Sequence, residues 1–313
     1  MFHRILLYIT FTSALLYASP LLDAVKANDA KQVEILLKNG ADPYEYVSTY
    51  PYHVICYAAA FSDSNILKQL LNNSSNVDKP CYTVQITPLM SASAYNNIDN
   101  MELLVKKGAN VNAKQIGMSE PNVLLYALSA KQTRSSLWLI DHGADINYAG
   151  TYGNNALSIT IAENNLDLLN TLIKKGINLK GKNGFDALLG ATVSLKYNFV
   201  KSLVDHGVNL NYTDQDGNTI LHLIASGRIE YNLNGFQKIL QQPRKGFPQS
   251  YFDEVQSSID GIKGRWDNYD KIIHYLTAHG ADKNLKNKAG KTPLQIAIEQ
   301  KNQRVITILK SSK

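Results

Sequence analysis

The residues with chemical reactivity in this sequence are seven histidines, two cysteines and scattered carboxylates. No pair of histidines has the spacing of metal ligands. The sequence also contains no phosphate loop and no H-E-x-x-H, G-x-S-x-G or C-x-x-C motif. The acidic residues form no pattern typical of a catalytic pair. The sequence therefore predicts no enzyme active site, no metal site and no bound cofactor.

Most of the histidines occupy recurring structural positions instead. His142, His206 and His279 each directly precede a glycine. His222 ends the stretch Asp216-Gly-Asn-Thr-Ile-Leu-His, in which Asp-Gly predicts a tight turn and the threonine predicts a helix N-cap. These histidines are therefore interpreted as parts of a repeated helical element.

Copies of that stretch recur along the chain at a fixed register. With the threonine as a mark, successive copies lie 31 to 35 residues apart, except for a last step of 73. A leucine or isoleucine follows each mark by two places, and a glycine usually follows it by 21. This period predicts stacked helix-turn-helix repeats. The marks are Ser19, His53, Thr87, Asn122, Asn155, Asp186, Thr219 and Thr292.

The copies at Thr219-Ile-Leu-His222 and Thr292-Pro-Leu-Gln295 resemble the ankyrin repeat, whose pattern runs T-P-L-H, a second helix, then L-L-x-x-G-A-D. The resemblance covers about residues 19–313. It implies an all-α solenoid of about eight helix-turn-helix units, joined by hairpin fingers and presenting a concave face. It also implies that protein partners bind the finger tips and the first helix of each unit.

Residues 1–18 lie outside the repeats and have the pattern of a secretory signal peptide. A basic start, an apolar run and a small residue at Ala18 favour cleavage after Ala18. The apolar run is short for a membrane span, and an uncleaved N-terminal anchor is the alternative. Cleavage would leave Ser19 and Pro20 as the cap and first turn of the first helix. We therefore expect an exported protein, periplasmic or secreted and most simply bacterial, with a repeat domain at 19–313 and no membrane span after cleavage.

The step of 73 residues indicates an insertion of about 40 residues in the seventh repeat. It is placed at about residues 228–267, between the two helices of that repeat. Within it, 236–240 and 251–262 have apolar residues near helical spacing. Such a segment must bury its apolar faces against the repeats or against a partner, and both alternatives remain open.

Aromatic residues concentrate where the resemblance places the fingers and first helices. Tyrosine is favoured at interfaces because it offers a large rigid face and a hydroxyl group. For any single tyrosine, the alternative is stacking between fingers or covering the edge of the core. The candidate protein-binding residues are Tyr44, Tyr46, Tyr50, Tyr52, Phe61, Tyr82, Tyr95, Tyr148, Tyr152, Phe185 and Tyr212.

The two cysteines, Cys56 and Cys81, fall in neighbouring repeats. Export would place them in an oxidising compartment, where disulfides form and persist. Ankyrin-like geometry does not guarantee bridging distance between these positions, so two small buried side chains are the alternative.

The formal charge of +6 is spread along the chain without a run of five basic residues, so no nucleic-acid partner is expected. The sequence instead predicts a monomeric, exported scaffold that captures another protein on a preformed surface. Inhibiting or neutralising a toxin or enzyme in the bacterial envelope would suit this architecture. The alternative is a secreted bacterial effector that binds host proteins. A third hypothesis is an enzyme whose chemistry lies in the insertion.

Overall fold

The computed structural model describes residues 19–45, 53–74, 76–81, 85–117, 120–151, 153–227 and 249–311, with the side chains of the last range described from Gly264 onward. Residues 1–18 lie outside this part, so the predicted signal peptide stays a prediction. Within the described ranges the regular structure is α-helical apart from two isolated antiparallel bridges. The predicted all-α class is therefore confirmed. The chain divides into two compact units, one that ends at Ile159 and one that begins at Thr160.

The first unit consists of two-helix repeats. Its helices are α1 (Pro20–Lys26), α2 (Ala30–Lys38), α3 (Val54–Phe61), α4 (Ser64–Asn72), α5 (Pro88–Ala94), α6 (Ile98–Lys106), α7 (Val123–Ser129) and α8 (Thr133–Asp141). Helix α9 (Ala156–Ala162) contains the division between the units.

The second unit continues the two-helix pattern. Its helices are α10 (Leu166–Lys174), α11 (Gly181–Val193), α12 (Tyr197–Asp205), α13 (Ile220–Ala225), α14 (Gln249–Ala278), α15 (Pro293–Glu299) and α16 (Gln303–Ser311). Among the described residues, no helix is both long and apolar enough to cross a bilayer.

Most first helices begin at the residues that mark the repeat. The Ser19 hydroxyl accepts a hydrogen bond from the Leu22 amide at 2.9 Å, and Pro20 occupies the first turn of α1. The Asn122 side chain accepts from the Leu125 amide at 2.9 Å and caps α7. These bonds satisfy amide groups that a helix start leaves without partners. At these marks the polar residue therefore specifies a helix boundary.

The leucine that lies four residues before the end of each repeat is buried in most repeats. A side chain of this kind stabilises the fold by about 1.5–3 kcal/mol when it is fully buried, so these leucines account for much of the cohesion within each unit. The buried members are Leu70, Leu104, Leu139, Leu172, Leu203, Leu276 and Leu309.

One fully buried amide ties two successive repeats of the first unit together. Asn100 on α6 donates to the carbonyls of Ala58 and Ala59, at 3.2 and 3.1 Å, and to that of Ser62 at 2.9 Å. Its Oδ1 accepts from the Ser64 hydroxyl at 3.0 Å. These carbonyls lie at the C-terminal end of α3 and just beyond it, where backbone acceptors begin to lack helical partners. The Ala58 carbonyl also accepts from the Ser62 amide at 3.0 Å, so Asn100 adds to the bonds that the end of α3 makes by itself.

Helix α11 departs from the predicted repeat. The register places a helix start at the mark Asp186, whereas the structure begins α11 at Gly181. Only residues 175–180 separate α10 from α11, so a helical extension stands where a hairpin finger was expected. A Cβ atom at Gly184 would lie 1.8 Å from the Leu179 carbonyl oxygen. The extension can approach this backbone because position 184 has no side chain.

Helix α14 departs from the predicted insertion. The helix expected at 251–262 forms part of one continuous helix that runs from Gln249 to Ala278. In the part of α14 whose side chains are described, the Trp266 ring is buried and meets the Tyr269 ring edge-on, with their centroids 5.6 Å apart. The Arg304 guanidinium of α16 lies 4.5 Å from the Trp266 ring. This end of the insertion therefore packs against its own unit. Residues 228–248 lie outside the described part.

Candidate protein-binding surfaces

Four aromatic side chains line one face of the first unit, and we call Tyr57, Phe61, Tyr95 and Tyr126 the aromatic surface. Tyr57 and Phe61 are one helical turn apart on α3, and their ring centroids are 4.8 Å apart. The Phe61 ring lies 4.3 Å from that of Tyr95, the C-cap of α5. Phe61 and Tyr95 are 50% and 49% exposed. Consecutive repeats thus place two large rings in contact while leaving half of each open to solvent.

Small side chains open a cleft beside these rings. The cleft has a volume of about 420 Å³ and lies between Tyr95 and Tyr126. Ser91 and Ala94 of α5 form part of its wall. Ser91 cannot rotate freely, because its hydroxyl donates to the Cys56 carbonyl at 2.8 Å. The cleft is therefore shaped by residues that the repeat packing already holds in place.

Two tyrosines predicted to bind a partner protein instead form hydrogen bonds between neighbouring fingers. Tyr44 is only 7% exposed, and its hydroxyl donates to the Asn76 carbonyl and shares a 2.9 Å hydrogen bond with the Ser74 hydroxyl. Burial raises the pKa of the Tyr44 hydroxyl. The Tyr148 hydroxyl donates to the Glu120 carbonyl at 2.7 Å. This placement matches the alternative of stacking between fingers.

The cysteines of the first unit are joined by a disulfide. Cys56 on α3 and Cys81 at the base of the following finger are both fully buried, with Cα atoms 6.6 Å apart. The Cys81 amide donates to the Ile86 carbonyl at 2.7 Å, which closes the base of that finger. The disulfide alternative is thus the one that the structure contains. It fastens a finger to the helix that carries Tyr57 and Phe61.

The second unit contains an apolar groove beside the extended helix α11. Its volume is about 680 Å³. Phe185 and Tyr212 meet there with their ring centroids 5.3 Å apart, and Val193 is 47% exposed. Phe185 is buried and forms the floor of the groove, whereas Tyr212 is half-buried. The apolar lining consists of Phe185, Leu189, Val193, Tyr212, Leu223 and Ile224.

Charged residues stand at the rim of this apolar groove. Lys182 and Asp186, one turn apart on α11, form an ion pair. Asp214, in the following finger, accepts hydrogen bonds from the amides of Asp216 and Asn218, at 2.9 and 2.8 Å. The apolar groove thus combines an apolar floor with carboxylates at its edge.

The histidine of the starting motif has a structural role. His222 is 1% exposed, and its Nδ1 accepts from the Thr219 amide at 3.0 Å. Its Nε2 then donates to the Lys291 carbonyl at 3.0 Å. Burial lowers the pKa of His222, which favours this neutral form. In the described part of the chain, no three His, Cys, Asp or Glu side chains are grouped to hold a metal ion.

Sequence reasoning located only part of these surfaces. Phe61, Tyr95, Phe185 and Tyr212 lie in them, but Tyr57 and Tyr126 were missed. The i, i+4 spacing of Tyr57 and Phe61 was an available signal. Five predicted residues lie outside the described residues and remain predictions. These are Tyr46, Tyr50, Tyr52, Tyr82 and Tyr152.

Helix pairs of similar length in most repeats, most of them starting at the same mark, define an α-helical repeat protein. A family model described as "Ankyrin repeats (3 copies)" matches residues 20–115 and 160–236, more than half of the chain. This chain therefore belongs to the ankyrin repeat family.

The chain spans less than a third of the length of three curated relatives that it matches. Alpha-latrotoxin-Lg1a of Latrodectus geometricus is 23% identical over 82% of this chain, and the match spans 16% of that toxin. Intracellular phospholipase A2 of Caenorhabditis elegans is 26% identical over 67% of this chain, and again the match spans 16% of the relative. The putative ankyrin repeat protein L371 of Acanthamoeba polyphaga mimivirus is 24% identical over 67% of this chain and 31% of its own length.

Among solved structures, the ankyrin repeat domain of human ASB11 matches with a TM-score of 0.53 and 17% identity. The match covers 65% of this chain and 90% of the ASB11 chain. At this identity the likeness concerns the fold. Ankyrin repeats generally mediate protein–protein interaction and are typically not enzymatic.

Proposed function

We propose that this protein is an exported scaffold that captures a partner protein on the aromatic surface of its first unit. The observation that carries this proposal is the contact between Phe61 and Tyr95, two rings that are half exposed and belong to successive repeats. Large aromatic side chains supply a disproportionate share of the free energy at protein interfaces.

Preorganisation supports binding at this surface. Tyr57 and Phe61 share one helix, and Asn100 binds the carbonyl groups at the end of that helix. A partner would therefore not have to order the backbone that carries the rings, which lowers the conformational cost of association. The cleft between Tyr95 and Tyr126 would accept one apolar side chain of the partner.

Two features support export. Residues 1–18 have the signal-peptide pattern, and the buried Cys56–Cys81 disulfide is typical of proteins in oxidising compartments. Cell fractionation with N-terminal sequencing tests this part of the proposal. A mature chain that begins at Ser19 in the periplasm or the medium is expected. An uncleaved chain in the cytoplasm would contradict export.

The role that fits such a scaffold is inhibition or neutralisation of a toxin or enzyme in the bacterial envelope. A rigid surface of large aromatic rings can block the active surface of another protein by binding to it, and this requires no catalysis by the scaffold. The second candidate role is that of a secreted effector that binds host proteins. Retention in the periplasm favours the first role, and appearance in the medium or in host cells favours the second.

The capture experiment compares the purified protein with the variant Phe61→Ala/Tyr95→Ala as bait for periplasmic and secreted fractions. A stoichiometric partner that binds the unaltered protein and is lost from the double variant is expected. The matched control is Ile35→Ala on α2, which removes another exposed apolar side chain outside the aromatic surface. A partner held equally by all three proteins would place the binding site elsewhere.

A further inference from the structure

The Cys56–Cys81 disulfide lies inside a packed junction of the first unit. Cys56 belongs to the first turn of α3 and Cys81 to the base of the following finger, and both side chains are fully buried. Helix α3 packs against α5, and Ser91 of α5 donates to the Cys56 carbonyl at 2.8 Å. Two helices and a finger thus enclose both sulfur atoms.

Hydrogen bonds hold the backbone on every side of this junction. The Cys81 amide donates to the Ile86 carbonyl at 2.7 Å and closes the finger base. The Ile55 amide donates to the Pro43 carbonyl at 3.0 Å, which ties the first turn of α3 to the preceding finger. Asn100 binds the other end of α3. Exposing either sulfur atom therefore requires neighbouring repeats to separate.

A disulfide of this kind forms in two exchange steps with an external disulfide donor. The thiolate of one cysteine attacks the donor disulfide, which releases one donor thiolate and leaves half of the donor bonded to that cysteine. The thiolate of the second cysteine then attacks the sulfur of the first, forms the Cys56–Cys81 bond and releases the other half of the donor. The two cysteine thiols are oxidised, the donor disulfide is reduced to two thiols, and the protons of the cysteines pass to the donor thiolates.

The intermediate of this exchange does not fit the folded junction. It carries half of the donor on a cysteine sulfur, and even half of glutathione disulfide is a tripeptide. Packed protein interiors contain few voids larger than a water molecule. The cleft beside Tyr95 is lined by Ile86 and Ser91, and its lining includes neither cysteine. The exchange therefore has to take place before the junction is packed.

We propose that the Cys56–Cys81 disulfide forms by exchange with an external disulfide donor while the chain is still unfolded, before α3, α5 and the intervening finger pack together. With a sequence separation of 25 residues, the two cysteines meet readily in an unfolded chain, and no third cysteine competes for either of them. The order is transport, oxidation and then packing, which rests on the export proposed above. A chain that packs with its thiols reduced is withdrawn from the donor.

The test measures how fast the reduced protein is oxidised by glutathione disulfide. The purified protein is unfolded and reduced in concentrated urea, refolded without oxidant and then mixed with the donor, and the remaining thiols are counted by alkylation and mass spectrometry. Oxidation of the folded protein is expected to be at least about a hundredfold slower than oxidation of the same protein in urea. Similar rates in the two conditions would overturn the proposal.

Two variants show whether separation of the repeats limits this reaction. Asn100→Ala removes the hydrogen bonds between α6 and the end of α3, and it is expected to speed oxidation of the folded, reduced protein by about tenfold or more. The matched control Asn65→Ala changes an exposed side chain of α4, and its rate is expected to stay within about twofold of the unaltered protein. In urea all three proteins should be oxidised equally fast. An unchanged rate for folded Asn100→Ala would mean that the donor reaches the cysteines without separation of the repeats, and would refute the proposal.

A second measurement decides the order if the reduced chain does not refold. Glutathione disulfide is then added to the reduced chain without urea, and thiol loss and circular dichroism are followed together. Loss of the thiols before recovery of the native spectrum supports the proposed order, and the reverse order overturns it.

Failure of this inference and failure of export give different results. A chain found in the cytoplasm by cell fractionation would contradict export, but it would leave the oxidation rates of the purified protein unchanged. Fast oxidation of the folded protein would contradict the order of oxidation and packing, even for a chain that is found outside the cytoplasm.

Discussion

The ring of Phe61 lies 4.3 Å from the ring of Tyr95, although the two residues belong to different repeats and each is about half exposed. Because both rings are partly hydrated, we expect their truncation to cost little stability. A double-mutant cycle with Phe61→Ala and Tyr95→Ala in urea denaturation should give a coupling of about 0.5–1.5 kcal/mol. A coupling well above this range would mean that the pair is structural and would weaken its assignment to binding.

The disulfide between Cys56 and Cys81 should stabilise the first unit. It closes a loop with a sequence separation of 25 residues. Constraining such a loop in the unfolded chain is worth about 3 kcal/mol. Cys56→Ala/Cys81→Ala is therefore expected to unfold at lower denaturant concentration than the oxidised protein. Reductant should destabilise the unaltered protein and leave the variant unaffected. Free thiols in the native protein, counted by alkylation and mass spectrometry, would contradict the bridge.

Removing the Asn100 amide should be costly. Asn100→Ala leaves the carbonyls of Ala58, Ala59 and Ser62 without this donor in a buried site, so a loss of about 3 kcal/mol in unfolding free energy is expected. The matched control is Asn65→Ala on α4, where the side chain is exposed and a change within about 0.5 kcal/mol is expected. Equal losses of unfolding free energy in the two variants would mean that the hydrogen bonds from Asn100 to the end of α3 make no specific contribution to stability.

Stability should fall in mild acid because of His222. Burial lowers its folded pKa below the unfolded value of about 6.5, so the unfolded chain binds the proton more readily. The contribution of neutral His222 to the free energy of unfolding is therefore fully present above the unfolded pKa. It is lost as the pH falls from there towards the folded pKa. The lowering of the His222 pKa is opposed only in part by its hydrogen bonds to the Lys291 and Leu285 carbonyls and by the charge of Asp214.

The variant His222→Gln isolates this effect. At the equivalent position of α15, the Gln295 side chain accepts from the Thr292 amide at 2.9 Å, so glutamine can complete the same cap. Denaturation between pH 5 and 7.5 should show a shallower slope for His222→Gln than for the unaltered protein. Some slope should remain, because burial also lowers the pKa of His53. Identical slopes would exclude His222 as a source of the pH dependence.

The local features of the fold could be predicted from residue order. Helix starts could be predicted at Thr219, Thr292 and Asn122, because a side-chain oxygen at an N-cap accepts hydrogen bonds from amides only two or three residues away. Burial of leucines such as Leu104 and Leu139 could also be predicted, because helical periodicity brings them to the apolar face of their helices. Such signals act within a few residues, so they survive in the sequence as a pattern.

The candidate surfaces were less predictable, because exposure depends on neighbours that are distant in sequence. Tyr44 and Phe61 are similar aromatic residues in neighbouring repeats, but contacts with Ser74 and Asn76 bury the first, whereas the second stays half exposed. The apolar groove likewise includes Phe185, which precedes the expected helix start at Asp186 and is helical because α11 begins at Gly181.

The sequence by itself determined the repeat period, most starts of the first helices and the buried leucines, since these follow from capping chemistry and the 3.6-residue turn of the helix. Only the tertiary structure decided that Cys56 and Cys81 lie 6.6 Å apart, and that the rings of Phe185 and Tyr212 meet with their centroids 5.3 Å apart. These relationships join residues from separate elements. Their distances come from how helices and fingers pack, and packing leaves no fixed spacing in the sequence.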